Sequence, residues 1–170
     1  MIRRYGFAAS APMFIPGLGA FIRLRGVALP PIPDARIGLA GPMYGLGAAV
    51  AALGAYYLTG VQVWGVIAHF GAWVNLFNLV PVWQLDGARG LRSLTRYQRG
   101  LVLATAGTLW LLTSNPMLLV IALVCGYRLF TRDWQNEPDQ QGLMQFLGLL
   151  IALAAVVTLS AGSAAIASRP

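Results

Sequence analysis

The residues of this chain best suited to chemistry lie in an Asn-x-x-Pro-x-x-x-x-Asp-Gly motif at residues 78–87, which closes a long apolar segment. Asp86 is the only acidic residue in the central half of the chain. A carboxylate at or near bilayer depth is costly and usually marks a functional site with a partner. Pro81 cannot continue an ideal helix, and Gly87 frees the backbone beside the acid. We therefore predict a broken helix end at which Asn78, Pro81 and Asp86 line one polar cavity.

The composition predicts that this motif lies in a membrane protein. The chain has 170 residues, of which 58% are hydrophobic and 10% are charged, and its mean hydropathy is +0.68. That profile is typical of an integral membrane protein. The net charge of +7 comes from twelve basic residues, all arginine, in short segments between apolar runs. Arginines so placed set membrane topology, so nucleic acid is excluded as a partner.

Cysteine and histidine are too scarce to form a metal site from these two residue types alone. Cys125 is the single cysteine and lies in an apolar run, which excludes a disulfide framework and a cysteine metal site. His69 is the single histidine. We predict that it is a packed or interfacial residue, because it would become a second ligand only if it faced Asp86. No apolar signal-peptide segment follows the N-terminal arginine pair.

Residues 1–36 are predicted to form an N-terminal surface segment. Five prolines exclude a continuous helix. The alternation of apolar and charged residues from Phe21 to Arg25 is typical of a strand and follows a glycine-rich turn signal. We predict a short β-hairpin at the membrane surface, followed by a proline-rich connector.

Residues 37–99 are predicted to hold the core spans, at 37–58 and 61–82, and the motif. Gly41 and Gly45 have the small-xxx-small spacing that suits close helix contact. Four arginines beyond the motif are three or four residues apart and would share one face of a helix. That face is predicted to determine topology and to contact lipid headgroups; its residues are Arg89, Arg92, Arg96 and Arg99.

Residues 100–170 are predicted to be C-terminal transmembrane helices. Residues 101–130 are too long for one untilted span, and Ser-Asn-Pro interrupts them, which predicts two short helices at 101–113 and 116–130. The last span is predicted at 143–166. The predicted fold class is thus an all-α polytopic membrane protein with about five transmembrane helices and a short N-terminal β-hairpin. The arginine-rich loops then fall on one side, which the positive-inside rule places in the cytoplasm. We expect the membrane to be a bacterial inner membrane.

The motif, with two further matches, resembles the site-2 protease family of intramembrane zinc metalloproteases. The matches are in family order and cover most of residues 3–94. They are Arg4-Tyr5-Gly6 with Pro12-Met13-Phe14-Ile15-Pro16 and Gly19-Ala20-Phe21-Ile22, then Ala40-Gly41-Pro42 with Gly45, then the Asp86 motif. The Ala-Gly-Pro match is similar to the start of a helix in the family.

The resemblance implies a zinc-dependent endopeptidase that cleaves transmembrane segments of membrane proteins within the lipid bilayer. Asp86 would be the third protein ligand of the zinc, and Pro81 would shape the site by breaking the helix. Asn78 would contact the substrate backbone or an oxyanion. An edge strand comprising Gly19, Ala20, Phe21 and Ile22 would pair with the extended substrate.

One departure from the family pattern affects the whole assignment. The family supplies two zinc ligands and the general base from a His-Glu-x-x-His helix, and this motif is absent here. Arg3-Arg4-Tyr5-Gly6 resembles the stretch that lies a few residues after that helix in the family. We therefore expect the chain to be an N-terminally incomplete copy that, as given, binds zinc poorly, since catalytic zinc needs three protein ligands.

Other interpretations of the same residues remain open at this point. Asp86 and Gly87 would also suit a helix C-terminal turn with the carboxylate in water. Asn78 and Asn75 would also suit hydrogen bonds between helices. The alternative functions are a non-catalytic, client-binding membrane protein of the same fold and a small transporter subunit with Asp86 as its cation or proton site.

Overall fold

The computed structural model describes residues 13–15, 19–21 and 29–167, with side chains from 29 to 162. The described chain forms two short strands and six helices. In chain order these are β1 (Met13–Ile15), β2 (Gly19–Phe21), α1 (Pro31–Thr59), α2 (Gln62–Asn78), α3 (Asp86–Arg92), α4 (Arg96–Thr113), α5 (Pro116–Arg128) and α6 (Gln140–Ala167).

The two strands pair antiparallel, with Met13 opposite Phe21 and Ile15 opposite Gly19. The alternating segment on which the surface hairpin was predicted lies, beyond Phe21, outside the described residues. Its position at a membrane surface therefore stays a prediction.

Helix α1 begins at Pro31, six residues before the predicted start of the first span. The predicted proline-rich connector is therefore wrong for residues 31–36, which belong to α1. Prolines are tolerated in the first turn of a helix because the N–H groups there have no partner within the helix. The Ala40-Gly41-Pro42 stretch, which is similar to a helix start in the family, lies inside α1.

The predicted interruption between α4 and α5 is confirmed. Ser114 is in the left-handed conformation, with φ of 55°, and closes α4. The Asn115 side chain accepts a hydrogen bond from the Met117 backbone N–H at 3.0 Å, and Pro116 takes the first helical position. A helix cap and a proline at N1 both act locally, which is why the break could be predicted from adjacent residues.

Helix α6 is central to the packing. It contacts α1, α2, α3 and α4, while α1 also packs on α2 and α3, and α4 packs on α5. Fully buried side chains of the core include Leu39, Leu76, Leu94, Phe146 and Leu150. Ion pairs join residues near the start of α1, in α3, at the start of α4, at the end of α5 and just before α6. These helix ends therefore lie together at one end of the bundle, which we call the charged end.

Two of the described helices are long and apolar enough to cross a membrane: α1, over Pro31–Thr59, and α6, over Gln140–Gly162. By these criteria of length and hydropathy, the described helices include two candidate spans, whereas five were predicted from the sequence. Helix α2 has 17 residues and α5 has 13, so both are shorter than the length that a perpendicular span needs. The described part of the chain is predominantly helical, as predicted.

Candidate functional site

The predicted helix break is confirmed. Helix α2 ends at Asn78, an irregular segment follows, and α3 begins at Asp86 itself. Within that segment Trp83 adopts a left-handed conformation with φ of 48°, which is uncommon for a residue with a side chain. Asp86 therefore opens a helix, and the alternative that places it in a C-terminal turn is wrong.

Gly87 is needed for close packing, not for a special backbone conformation. It lies within helix α3 and is buried, and no positive φ is found at this residue. A Cβ atom at this position would collide with the backbone carbonyl of Leu79. The expectation that Gly87 frees the backbone is thus wrong, and its role is to let α3 fold back against the end of α2.

Three glycines of α1 lie on one face and receive polar side chains from α2 and α3. A Cβ at Gly41 would come within 3.2 Å of Asp86 Oδ2, and one at Gly38 would come within 2.9 Å of Arg89 Cβ. A Cβ at Gly45 would overlap the Asn75 side chain. The close helix contact predicted from the Gly41 and Gly45 spacing is confirmed.

The Asp86 carboxylate has no hydrogen bond or ion pair with any residue that the structure describes. Its nearest cation, Arg89, instead donates from Nε and Nη2 to Asp34 Oδ1, at 2.9 and 2.6 Å. The carboxylate is half-buried, and this burial raises the pKa of Asp86 to about 6, although the charge of Arg89 lowers it. An acid without a partner is thus held against the glycine face of α1.

Replacing Asp86 by asparagine is expected to stabilise the protein at high pH only. Because the folded-state pKa lies above the ordinary 3.8, the native protein binds the proton more tightly, and its stability falls as pH rises from about 4 to about 6. An asparagine side chain cannot ionise, so Asp86→Asn should raise the melting temperature at pH 8 and leave it unchanged at pH 4. Thermal unfolding in detergent measures this, with exposed Glu137→Gln as the control. A lower melting temperature for Asp86→Asn at pH 8 would contradict it.

The structure gives Asp86 and Pro81 different contacts. Asp86 lies against α1, whereas the Pro81 carbonyl accepts a hydrogen bond from Arg128 Nε, at the end of α5, at 3.1 Å. Pro81 lines a groove with residues of α5 that does not include Asp86. The prediction that Asn78, Pro81 and Asp86 line one cavity stays a prediction. Asn78 is half-buried and is the last residue of α2.

Asn75, rather than Asn78, is the amide that shares the glycine face with Asp86. Gly41 and Gly45 are one helical turn apart, so their neighbours Asp86 and Asn75 lie about 6 Å apart along α1. Asn75 Nδ2 donates to the Gly71 carbonyl of its own helix at 2.7 Å, so this amide does not form the predicted bond between helices. The spacing of the two glycines marked a face for close contact but did not identify Asn75 as its neighbour.

His69 is a packed residue, as predicted. Its Nδ1 lies 3.2 Å from the Val157 carbonyl oxygen and 3.1 Å from Ser160 Oγ, both on α6. The imidazole thus faces α6, whereas Asp86 faces α1. His69 does not supply the second ligand that a site at Asp86 would require.

The prediction that four arginines form one exposed face is wrong. Residues 86–99 are two helices with a break between them, so the spacing does not place the arginines on one side. Arg92 and Arg96 are exposed, but Arg99 is fully buried. Arg99 donates to the carbonyls of Leu91, Arg128 and Asp133 and to Asp133 Oδ1.

At the charged end, Asp34, Asp133 and Asp139 each form an ion pair with arginine. Burial acts to raise the pKa of Asp133, but hydrogen bonds from Arg99 and Thr131, with the charges of Arg99 and Arg128, lower it below its usual value. Asp139 pairs with buried Arg36 at 2.6 Å, and its pKa is lowered in the same way.

The described residues do not supply a zinc ligand set. Between residues 29 and 162, no three side chains of histidine, cysteine, aspartate or glutamate come together. At this position Asp86 offers a single carboxylate, and its neighbour Asn75 offers a neutral amide. Catalytic zinc sites hold the metal through three protein ligands.

Comparisons with known proteins yield no relative. No family model, curated protein or solved structure matches this chain.

Proposed function

We propose that this chain is a polytopic integral membrane protein in which α1, α2, α4, α5 and α6 each traverse the bilayer. The ion pairs collect helix ends at the charged end, and the connections after α1 and after α4 carry no charged residue. Large apolar side chains are exposed along the helices, as lipid contact requires. They include Val50, Leu58, Phe70, Leu111, Leu112, Leu123 and Ile151. The charged end would face the cytoplasm under the positive-inside rule.

Within that membrane protein, we propose that Asp86 is a ligand residue of an intramembrane zinc endopeptidase of the site-2 protease type. The observation that supports this most is the placement of an unpaired acid at a helix break, against glycines of α1. A structural carboxylate would be expected to bond to the nearby arginine, yet Arg89 bonds to Asp34. An unpaired buried acid is a candidate for binding or catalysis.

This proposal requires groups from outside the described residues. The two histidines and the general base would come from a His-Glu-x-x-His helix supplied by another segment or another chain. The strand β2, Gly19–Phe21, remains the proposed site for pairing with an extended substrate. Membrane-protein segments would be the substrates.

A second candidate function is binding of membrane-protein clients without cleavage. The observation that favours it is the absence, among the described residues, of any three-residue metal-ligand group. In this case β2 would hold a client segment, and Asp86 would contact it directly.

The two candidates are distinguished by cleavage of a reporter transmembrane substrate in detergent or liposomes. The chain is tested as given and with an upstream helix that carries His-Glu-x-x-His, each with and without a chelator. We expect the extended protein alone to cleave, and the chelator to stop it. Asp86→Asn should abolish this activity, whereas Asn78→Ala should lower it by about 10²–10³ if Asn78 contacts an oxyanion.

The matched control is Glu137→Gln, which removes an exposed acid at the same end of the bundle. It should leave the cleavage rate unchanged. If the extended protein binds the substrate but does not cleave it, client binding is the better description. Cleavage by the extended protein that persists in Asp86→Asn would refute the ligand role of Asp86.

A further inference from the structure

Three arginines at the charged end have no acidic partner among the described residues. Asp34 pairs with Arg89, and Asp139 pairs with Arg36. Asp133 pairs with both Arg99 and Arg128. The three arginines that remain within residues 29–162 are all exposed: Arg92, Arg96 and Arg132.

The fold brings together the chain segments that carry these three arginines. Arg92 ends α3 and Arg96 begins α4, so only a three-residue turn separates them. The segment that carries Arg132 is held against this turn, because the Gln135 N–H donates to the Leu94 carbonyl at 3.3 Å. The Arg96 guanidinium also lies over the ring of Trp134, 5.6 Å from its centroid.

Exposed aromatic side chains accompany the arginines. Tyr97 is 77% exposed and follows Arg96, and Phe130 is 79% exposed and precedes Arg132 by two residues. Trp83 is 90% exposed, in the segment that Arg128 ties to this end. Aromatic rings beside cationic groups are typical of the level of the lipid headgroups, where one part of the surface is apolar and the other is wet.

We infer that Arg92, Arg96 and Arg132 bind the phosphate of an anionic phospholipid at the charged end of the bundle. Guanidinium groups match phosphate oxygens with paired hydrogen bonds, and the neighbouring Tyr97 and Phe130 would contact the upper acyl chains. These apolar neighbours favour a lipid over a free anion. The inference needs the protein to lie in a membrane but does not depend on peptidase activity.

The test is the thermal stability of the purified protein in neutral detergent, titrated with phosphatidylglycerol, phosphatidylcholine or inorganic phosphate. We expect phosphatidylglycerol alone to raise the melting temperature. A basic residue near an anionic bilayer contributes about 1 kcal/mol, so loss of all three should weaken the apparent affinity about a hundredfold. The triple variant R92Q/R96Q/R132Q should therefore lose the shift, and R92K/R96K/R132K should keep part of it.

Glu137→Gln is the matched control, because it changes a charge at the same end without removing an arginine; it should keep the full shift. The inference fails if phosphatidylcholine stabilises the protein as well as phosphatidylglycerol does. It also fails if inorganic phosphate alone gives the same shift, or if the glutamine triple variant keeps it. Since the three side chains are exposed, the triple variant should fold, and its melting temperature in detergent alone checks this.

Discussion

Replacing Arg99 by alanine is expected to prevent stable folding or to reduce the free energy of unfolding by about 3–5 kcal/mol. Arg99 is fully buried, and its guanidinium bonds to three backbone carbonyls and to the Asp133 carboxylate. Alanine would remove all four hydrogen bonds. The Leu91 and Arg128 carbonyls and Asp133 Oδ1 each keep another donor, but the Asp133 carbonyl would lose the only donor described for it, and an orphaned buried group costs about 1–3 kcal/mol. It would also free the segment after α5 from the start of α4.

The matched control for this prediction is Arg96→Ala, three residues earlier in the same helix. Arg96 is exposed and its only described contact is the ring of Trp134, so its loss should cost no more than about 1 kcal/mol. Melting temperature and yield in detergent give the comparison. Equal losses for the two variants would show that the buried network contributes nothing beyond a surface charge.

Replacing Gly87 by alanine should be the most disruptive of the glycine substitutions. The new Cβ would meet the Leu79 carbonyl and backbone, which cannot rotate away as a side chain would. Forcing a methyl group into packed backbone costs typically about 1–3 kcal/mol and occasionally more. Because Gly87 follows Asp86 directly, the shift should also displace the carboxylate from the α1 face.

Gly100→Ala is the control, since nothing lies within 4 Å of a Cβ at that position in α4. In a helix interior alanine is favoured over glycine by about 1 kcal/mol, so this variant should be slightly more stable than the parent. Chemical or thermal unfolding of both variants decides the sign. A Gly87→Ala protein as stable as Gly100→Ala would show that α3 does not pack on the end of α2 in this way.

The features that could be predicted from the sequence are those encoded in neighbouring residues. Pro81 lies in the segment that separates α2 from α3, and Ser114, Asn115 and Pro116 together specify a chain break and a cap. The glycine spacing of α1 likewise marked a face for close contact before its partners were known. Local rules of this kind do not depend on what the rest of the chain contributes.

The features that could not be predicted depend on partners distant in the sequence. Arg99 and Arg92 look alike in the sequence, yet Arg99 is buried because Asp133, far along the chain, reaches it. The Asp86 carboxylate has no ion pair because Arg89 bonds to Asp34, which lies far away in the sequence. Asn75 became the neighbour of Asp86 only because α2 and α3 pack on the same face of α1.

The central position of α6 has a consequence for how the protein is made. Helices α1 and α2 end at Thr59 and Asn78, but the helix on which both pack begins only at Gln140. At a synthesis rate of roughly 5–20 residues per second, the earlier helices wait for seconds before this partner leaves the ribosome. During that interval their small and polar residues lack this partner and are open to chaperones or proteases. Final assembly is thus a late event, and a chain stopped before α6 should be removed by cellular quality control.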